Sequence, residues 1–383
     1  MKRLFLFLCI TLSGLSCMSQ RGKPMTGADQ LDLLLPKLSG KRVALVVNQT
    51  AIVGRTHLAD TLKIRGVNVV KAFAPEHGFR GNAADGELIN DSLDVRTGVK
   101  IVSLYGKNYK PKPEALQDVD IVIFDIQDVG CRFYTYTSTL HYVMEACAEN
   151  GKKLIVLDRP NPNAFVDGPL MQKEFTSYVG MHPIPIAYGL TIGELGLMIN
   201  GEGWLDGKRK CDLEVIKLQN WKHSDPYALP VRPSPNLPND QAIRLYPSIC
   251  LFEGTQISVG RGTAMPFQVL GNPELKDMSF EFTPISIKGV TNNPPQENKL
   301  CHGIDLRNAT TKRFIDLSHL LIFYKAYPDK EKFFIPYFEK LAGTASLRQQ
   351  IRDGWSEEQI KKSWAPDLKK YKEMRKKYLL YTE

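Results

Sequence analysis

The chain has 383 residues, of which 43% are hydrophobic and 24% charged, so it can bury one large core or two smaller ones. This composition excludes an intrinsically disordered or a fibrous protein. The formal net charge of +9 is only mildly basic, and the positive residues are scattered apart from a run near the C-terminus. Such a pattern does not indicate a nucleic-acid-binding protein, although it is compatible with a polyanionic partner such as a cell wall.

The N-terminus has the layout of an export signal. Lys2 and Arg3 precede the apolar run 4–12, which is too short to span a bilayer as a mature helix. Cys17 follows the small residue Ser16 after this run and resembles the acylated cysteine of a bacterial lipobox. Residues 1–24 are therefore interpreted as the signal peptide and linker of an exported lipoprotein, periplasmic or at the outer membrane, with plain secretion as the alternative. A lipid anchor at Cys17 is the membrane contact that we expect.

The cysteines beyond this leader do not suggest a disulfide framework. They are odd in number, and no two of them have CxxC spacing. We expect at most one disulfide and no zinc site. The residues are Cys131, Cys147, Cys211, Cys250 and Cys301.

Apolar runs rich in β-branched residues alternate with segments of helical periodicity in the first part of the chain. The predicted strands are 42–48, 68–74, 100–104, 120–125, 153–158 and 213–218. The predicted helices are 56–65, 112–119, 138–150 and 191–200. Thr191 is expected to cap the last of these helices, with Glu194 in its first turn. The alternation predicts an α/β fold with a doubly wound parallel sheet.

The character of the sequence changes near residue 226. Five prolines lie within 226–238, which predicts a rigid loop or a crossing between domains. Beyond this loop, the patterns predict a strand at 278–287 and helices at 315–327, 331–341, 346–353 and 356–380. We therefore predict a first domain over residues 25–245 and a smaller α+β domain over residues 246–383.

Unusual polar residues follow three of the predicted strands. Ligands of parallel α/β sheets bind at the carboxyl ends of the strands, so we expect a functional site there. The candidate residues at these ends are Glu76, His77, Asp125, Asp128, Arg132, Tyr134, Arg159 and Asn161. The alternative is that the charged members form a structural network of ion pairs beneath the loops.

Two later stretches rich in glycine, proline and polar residues are expected to close over the same strand ends. They are 234–238 and 252–263, and their candidate ligand contacts are Asn236, Glu253, Ser258 and Arg261. The alternative is that the glycines only make turns and that Glu253 pairs with Arg261.

The sequence lacks the motifs of several common chemistries. Residues 48–51 follow the first strand where a dinucleotide site needs GxGxxG, and neither GxxxxGK[ST] nor HExxH occurs. Residues 256–260 lack the first glycine of a nucleophile elbow. Glu76 and His77 are adjacent and therefore point in different directions rather than at one metal ion. We expect acid/base chemistry by carboxylate and imidazole without a metal or a cofactor.

Six motifs occur in one order along the chain, at 75–81, 125–136, 158–162, 234–238, 251–255 and 260–263. Through these motifs the sequence resembles the exo-β-N-acetylmuramidases of the NamZ type, from about residue 41 to the C-terminus. The resemblance implies a Rossmann-like domain and a smaller domain with the active site in the cleft between them. It also implies a glycosidase that releases terminal N-acetylmuramic acid from the non-reducing end of peptidoglycan fragments, in cell-wall turnover or recycling.

Glycoside hydrolysis needs a proton donor to the leaving oxygen and usually a second carboxylate. Glu76 is the first candidate for the acid because it lies at a strand end, beside His77, in a loop held by proline and glycine. Asp125 or Asp128 is expected to be the second group, unless the 2-acetamido group of the substrate acts as an internal nucleophile.

The 3-O-lactyl carboxylate of muramic acid suits a bidentate guanidinium. Arg132, Arg159 and Arg261 are the candidates, and we favour Arg261 with support from Arg132. Two other functions stay open at this point: a muropeptide-binding envelope lipoprotein without activity, and a cell-wall amidase or esterase with Ser258 as nucleophile.

Overall fold

The computed structural model describes residues 22–81, 92–106 and 108–383. Cys17 and the predicted signal peptide lie outside the described residues. The strands are β1 (Val43–Val47), β2 (Ile52–Val53), β3 (Thr56–His57), β4 (Val69–Ala74), β5 (Ser92–Leu93), β6 (Lys100–Ser103), β7 (Ile121–Asp125), β8 (Lys153–Leu157), β9 (Val166–Leu170), β10 (Pro185–Tyr188), β11 (Asp212–Ile216), β12 (Val269–Asn272), β13 (Phe280–Phe282) and β14 (Cys301–Asp305).

The helices of the described residues are α1 (Leu31–Leu38), α2 (Leu58–Ile64), α3 (Pro113–Leu116), α4 (Tyr136–Glu149), α5 (Ile192–Gly201), α6 (Asp240–Ile249), α7 (Ser318–Ala326), α8 (Lys330–Phe333), α9 (Phe338–Ala342), α10 (Ser346–Arg352) and α11 (Glu357–Arg375). Short 3₁₀ turns lie at Lys173–Phe175, Asp206–Lys208, Cys250–Gly254 and Lys376–Tyr378. Thr191 caps α5 in a capping box with Glu194, as predicted.

The six strands predicted in the first part all form and lie in one sheet of the order β11-β8-β7-β1-β4-β6-β5. The pairings are parallel except at β5, which lies antiparallel at the edge. Every residue of β1 and β7 is buried, which explains why these strands are continuous apolar runs. From β1 the chain adds β4 and β6 on one side of the sheet, and it then adds β7, β8 and β11 on the other side of β1. The carboxyl ends of β1 and β7 therefore border the switch point of a Rossmann-like sheet, where ligands bind.

The second part is smaller and contains the antiparallel sheet β12-β14-β13 and the helices α7 to α11. The helix predicted at 331–341 is instead the pair α8 and α9, because Pro336 interrupts it between them. The strand predicted at 278–287 is only the three residues of β13. The antiparallel pair β9–β10 and the helices α1 and α6 were not predicted.

The two parts share one hydrophobic core, which includes residues of α4 and α5 as well as of α7 and α11. The C-terminal helix α11 returns to the first part of the chain. There the hydroxyl of Tyr371 donates to the carbonyl oxygen of Tyr188 over 2.6 Å. In the ranges that the structure describes, no helix has the length and apolar character needed to cross a membrane.

Candidate active site

A cavity of about 350 Å³ opens beyond the carboxyl ends of β4 and β7 and is bounded on its other side by the second part of the chain. Six residues predicted from the sequence line it: Glu76, His77, Tyr134, Asn236, Glu253 and Arg261. Aromatic residues make up half of the remaining wall, namely Tyr105, Phe133, Tyr136, Tyr178, Tyr246, Phe267 and Tyr337. The cavity is thus an aromatic-walled site with a few polar groups, which is the usual composition of a small-molecule site.

Glu76 is held by contacts from two directions where β4 ends. The N–H of Gly78 donates to the carbonyl oxygen of Pro75 over 3.0 Å, which closes a tight turn around Glu76 and His77. Thr135 donates from Oγ1 to Oε2 of Glu76 over 2.9 Å, and the hydroxyl of Tyr136 donates to the Glu76 carbonyl oxygen over 3.4 Å. The carboxyl group of Glu76 therefore has a fixed position in the wall.

His77 lies next to this carboxyl group in an unusual backbone conformation. Its φ of 69° is in the left-handed region, which residues other than glycine seldom adopt. The side chain is buried and lines the same cavity. Residues held in such conformations cluster at functional sites, because the surrounding structure must compensate for the local strain.

Glu253 and Arg261 form an ion pair on the opposite wall. Arg261 donates from Nε to Oε1 of Glu253, and the thiol of Cys250 contacts the other carboxylate oxygen at 3.5 Å. The guanidinium lies 4.9 Å from the ring centroid of Phe267. The sequence alternative of a Glu253–Arg261 pair is therefore correct, and the pair also lines the cavity; contact of either residue with a ligand stays a prediction.

Gly260 and Gly262 make the loop around Arg261 possible. Both have positive φ, at 79° and 80°. A Cβ atom at Gly262 would lie 2.5 Å from the carbonyl oxygen of Ile285, so a larger residue does not fit there. The two glycines thus fix the point at which the guanidinium enters the cavity.

Asn236 contributes a polar group of a different kind. Its Nδ2 donates to the carbonyl oxygen of Val290 over 3.2 Å. Its Oδ1 is buried and has no hydrogen-bond partner among the described residues. Because Asn236 lines the cavity and has an unused acceptor, it is a candidate to bind a hydroxyl or an amide N–H of a ligand once its side chain turns towards the cavity.

Asp125 and Arg159 do not line this cavity, and their prediction as site residues is corrected. The two form a fully buried ion pair in which Arg159 donates from Nη2 to Asp125 Oδ2 over 2.9 Å. Arg159 also donates to the carbonyl oxygen of Ile52 over 3.1 Å. This is the structural ion pair that the sequence left as an alternative.

Asp128 and Asn161 also serve the fold rather than the cavity. Asp128 accepts hydrogen bonds from the N–H of Gly130 at 2.6 Å and from the hydroxyl of Tyr188. Burial raises the pKa of Asp128 to about 6. Asn161 donates to the carbonyl oxygen of Leu190 over 2.9 Å and accepts from a neighbouring N–H, so its amide is occupied.

Arg132 and Ser258 are likewise engaged in the interior. Arg132 is 1% exposed and is not among the residues that line the cavity. Its guanidinium donates to four carbonyl oxygens at 2.7–3.0 Å, those of Pro169, Ile184, Leu341 and Ala342. Ser258 is fully buried, and its Oγ accepts from the N–H of Gly260 over 3.2 Å. Neither side chain can contact a ligand without a change of the fold.

The sequence interpretation missed Thr135 and the tyrosines of the wall other than Tyr134. Thr135 lies inside the motif 125–136 at the N-cap of α4. A hydroxyl between a strand end and a helix start was a usable signal for it. Tyr178 and Tyr337 come from loops far apart in the chain, and no local pattern marks them.

Comparison with known proteins connects this arrangement to one family. Residues 43–241 match the family model described as "Exo-beta-N-acetylmuramidase NamZ, N-terminal", and residues 244–381 match its C-terminal counterpart. The chain is 39% identical to the "Peptidoglycan beta-N-acetylmuramidase NamZ" of Bacillus subtilis (strain 168), with 95% of this chain and 92% of that protein covered.

Two crystal structures of DUF1343 family proteins from Bacteroides fragilis NCTC 9343 are similar over most of the chain. The first has a TM-score of 0.89 and 47% identity, with 94% of this chain and all of that chain covered. The second has a TM-score of 0.78 and 30% identity, with 94% of this chain and 99% of that chain covered. The Rossmann-like fold with a second, smaller part is therefore common to all three chains.

Proposed function

The chain belongs to the NamZ family of exo-β-N-acetylmuramidases, and on this premise we propose that its cavity binds a terminal N-acetylmuramic acid residue and hydrolyses the bond to the next sugar. It is a glycosidase that acts at the non-reducing end of peptidoglycan fragments. The observation that carries the proposal is a cavity with a carboxyl group, Glu76, on one wall and a guanidinium, Arg261, on the other.

Glu76 is the proton donor in this proposal. The acid of a glycosidase must hold its proton at the glycosidic oxygen, so its position matters as much as its acidity. The turn from Pro75 to Gly78 and the contact from Thr135 supply that position. His77, the next residue in the cavity wall, orients the turn and the substrate.

The nucleophile is proposed to be the 2-acetamido oxygen of the substrate itself. Asp125 and Asp128 are buried outside the cavity, and the other carboxylate that lines it, Glu253, is bound to Arg261. The side chain of Asn236 is suited to hold the acetamido N–H while the acetamido oxygen attacks the anomeric carbon. The glycosidic bond breaks as Glu76 protonates the leaving oxygen, and a water molecule, deprotonated by Glu76, then opens the oxazoline intermediate to give free N-acetylmuramic acid. Substrates with fluorinated acetamido groups test this step, because an electron-poor acetamido oxygen is a weaker nucleophile. An unchanged rate with a trifluoroacetamido substrate would rule out participation of this group.

Arg261 is proposed to recognise the 3-O-lactyl carboxylate. Its charge is kept in the cavity wall by Glu253 and by the ring of Phe267. The lactyl carboxylate distinguishes muramic acid from glucosamine, so a guanidinium here provides selectivity.

Two alternative functions receive less support. An amidase or esterase would need Ser258 as nucleophile, and this hydroxyl is fully buried. A muropeptide-binding protein would use the same walls without turnover.

The test is release of free sugar from 4-nitrophenyl N-acetylmuramide and from the matching N-acetylglucosaminide, each with and without EDTA. We expect chelator-independent release from the muramide, whereas binding without release would identify a binding protein.

We further propose that the protein is exported and anchored through an acyl group on Cys17. The support is the basic start, the apolar run 4–12 and the small residues before Cys17. Metabolic labelling with a fatty acid tests this, with Cys17→Ser as the matched variant. Label in the wild type and none in the variant is expected, and an unlabelled wild type found in the soluble fraction would indicate plain secretion.

A further inference from the structure

Four tyrosines form a cluster that begins in the cavity and continues beyond it: Tyr105, Tyr109, Tyr142 and Tyr178, here called the tyrosine cluster. Tyr105 and Tyr178 line the cavity, whereas Tyr109 and Tyr142 lie outside it. The ring centroid of Tyr109 lies 4.1 Å from that of Tyr178 and 6.3 Å from that of Tyr142. Tyr105 meets Tyr109 edge-on at 6.1 Å. All four rings are only half-buried, so an aromatic surface extends from the cavity towards solvent.

The tyrosine cluster lies on the same wall as the proposed acid. Thr135 and Thr139 are one helical turn apart at the start of α4. Thr135 contacts Glu76, and the Oγ1 of Thr139 lies 3.3 Å from the hydroxyl of Tyr178. Burial raises the pKa of Tyr178, and the negative charge of Glu76 adds to this effect.

The anion-binding pair lies on the opposite wall. Glu253 and Arg261 come from the second part of the chain, from a 3₁₀ turn and the glycine loop that follows it. The proposed acid and, from the tyrosine cluster, Tyr105 and Tyr178 therefore line the cavity from the first part of the chain, and the guanidinium lines it from the second. A glycosidic bond held at Glu76, with the muramic acid towards Arg261, would direct its leaving sugar towards the tyrosines.

We propose that the tyrosine cluster is the subsite for the sugar rings on the leaving side of the scissile bond. Tyr105 and Tyr178, which line the cavity, contact the first of these rings, and Tyr109 and Tyr142, which lie outside it, contact the rings beyond. This inference rests on the proposed function. A cavity of about 350 Å³ is at the lower end of the range that small-molecule ligands fill, so the rest of a glycan must lie outside it. A pyranose ring has an apolar C–H face and a rim of hydroxyls. A half-buried tyrosine offers a flat apolar surface with a hydroxyl at its edge, which is the complementary chemistry.

The test compares two substrates that differ only in length on the leaving side. One is the disaccharide of N-acetylmuramic acid linked to N-acetylglucosamine, and the other is the tetrasaccharide of two such units. We expect the wild type to have the higher kcat/KM for the tetrasaccharide. In Tyr109→Ala the ratio of the two kcat/KM values should fall about tenfold, because only the longer glycan reaches this ring.

Three controls make the outcome decisive. Tyr109→Phe keeps the ring face and should keep the ratio, whereas a fall as large as that of Tyr109→Ala would contradict stacking. Trp355→Ala removes a partly exposed ring from another surface and should not change the ratio. The subsite would be overturned if Tyr109→Ala lowered kcat/KM equally for both substrates, or if the wild type had the same kcat/KM for both. Either result would leave the proposed glycosidase function intact. If the wild type releases no sugar from either substrate, the proposed function is wrong and the subsite falls with it.

Discussion

Thr135 donates a 2.9 Å hydrogen bond to Glu76, and the two residues follow strands that are not neighbours in the sheet. Glu76 follows β4 and Thr135 follows β7, and β1 lies between these strands. The contact therefore crosses the point where the two halves of the sheet meet, which is where α/β folds bind ligands. The side chain of Glu76 lies on a loop, and this hydrogen bond fixes its position relative to both β4 and β7.

Replacement of Glu76 by glutamine tests the assignment of the acid. The amide keeps the shape and can accept the hydrogen bond from Thr135, but it cannot donate a proton to a leaving alkoxide. Turnover of natural fragments should fall on the order of 10²–10⁴-fold. Glu174→Gln, at an exposed site, is the matched control and should retain full activity. Near wild-type rates in Glu76→Gln would show that another group is the acid.

Replacement of Arg261 by methionine tests how the lactyl group is recognised. A glucosaminide lacks the carboxylate that would form charge-assisted hydrogen bonds with the guanidinium, so the wild type should prefer the muramide by roughly 10²-fold in kcat/KM. Arg261→Met should reduce this preference at least about tenfold, mainly through lower activity on the muramide. Arg307→Met is the control, because Arg307 also pairs with an acid and lies near a phenylalanine ring, away from the cavity. An unaltered preference in Arg261→Met would assign the lactyl group to a different residue.

Arg132 is expected to matter for stability rather than for selectivity. Its guanidinium satisfies four buried carbonyl oxygens, two of them at the end of α9 in the second part of the chain. Arg132→Met would leave these acceptors without donors, so the free energy of unfolding should fall by about 3–5 kcal/mol. Urea titration measures this change, with Arg307→Met again as the exposed control. The preference for the muramide should persist in the folded fraction, and a loss of preference without a loss of stability would restore Arg132 to the binding site.

The sequence predicts the sheet well because its strands are buried on both faces and are therefore continuous apolar runs. It also identifies Glu76, His77 and Asn236, since each follows a strand or lies in a proline-rich loop that cannot be regular structure. It favours Arg261 among the three candidate arginines but keeps Arg132 in support and leaves Arg159 open. All three are arginines in unusual loops, and only the three-dimensional fold determines which guanidinium reaches a cavity and which meets buried carbonyls.

The sequence also does not predict which tyrosines line the cavity. Tyr105 and Tyr178 lie in two separate loops and Tyr337 lies beside Phe338, and aromatic residues in such positions are more often part of a core. Their assembly depends on contacts between distant parts of the chain, such as that of Tyr178 with Thr139. Such contacts leave no periodic pattern in the sequence.

Asp128 provides a prediction about stability and pH. Burial raises its pKa to about 6 in the folded protein, above its ordinary value of 3.8. Below pH ~4 the carboxyl group is protonated in both the folded and the unfolded chain. Between pH ~4 and ~6 only the unfolded chain ionises, so the folded state loses stability as the pH rises. A shift of this size corresponds to a loss on the order of 3 kcal/mol across that window.

Asp128→Asn should remove this part of the pH dependence, because the amide cannot ionise and resembles the protonated carboxyl group. The free energy of unfolding, measured in urea at pH values from 4 to 7, should therefore fall less in the variant than in the wild type. Asp120→Asn is the control, because the pKa of Asp120 is shifted in the opposite direction to that of Asp128. The hydrogen bond from Arg42 lowers the pKa of Asp120. The stability that Asp120 contributes is lost only below the window, so this variant should parallel the wild type between pH 4 and 6. Equal slopes for Asp128→Asn and the wild type would mean that Asp128 is ionised in the fold throughout this range, with a counter-charge supplied by its surroundings.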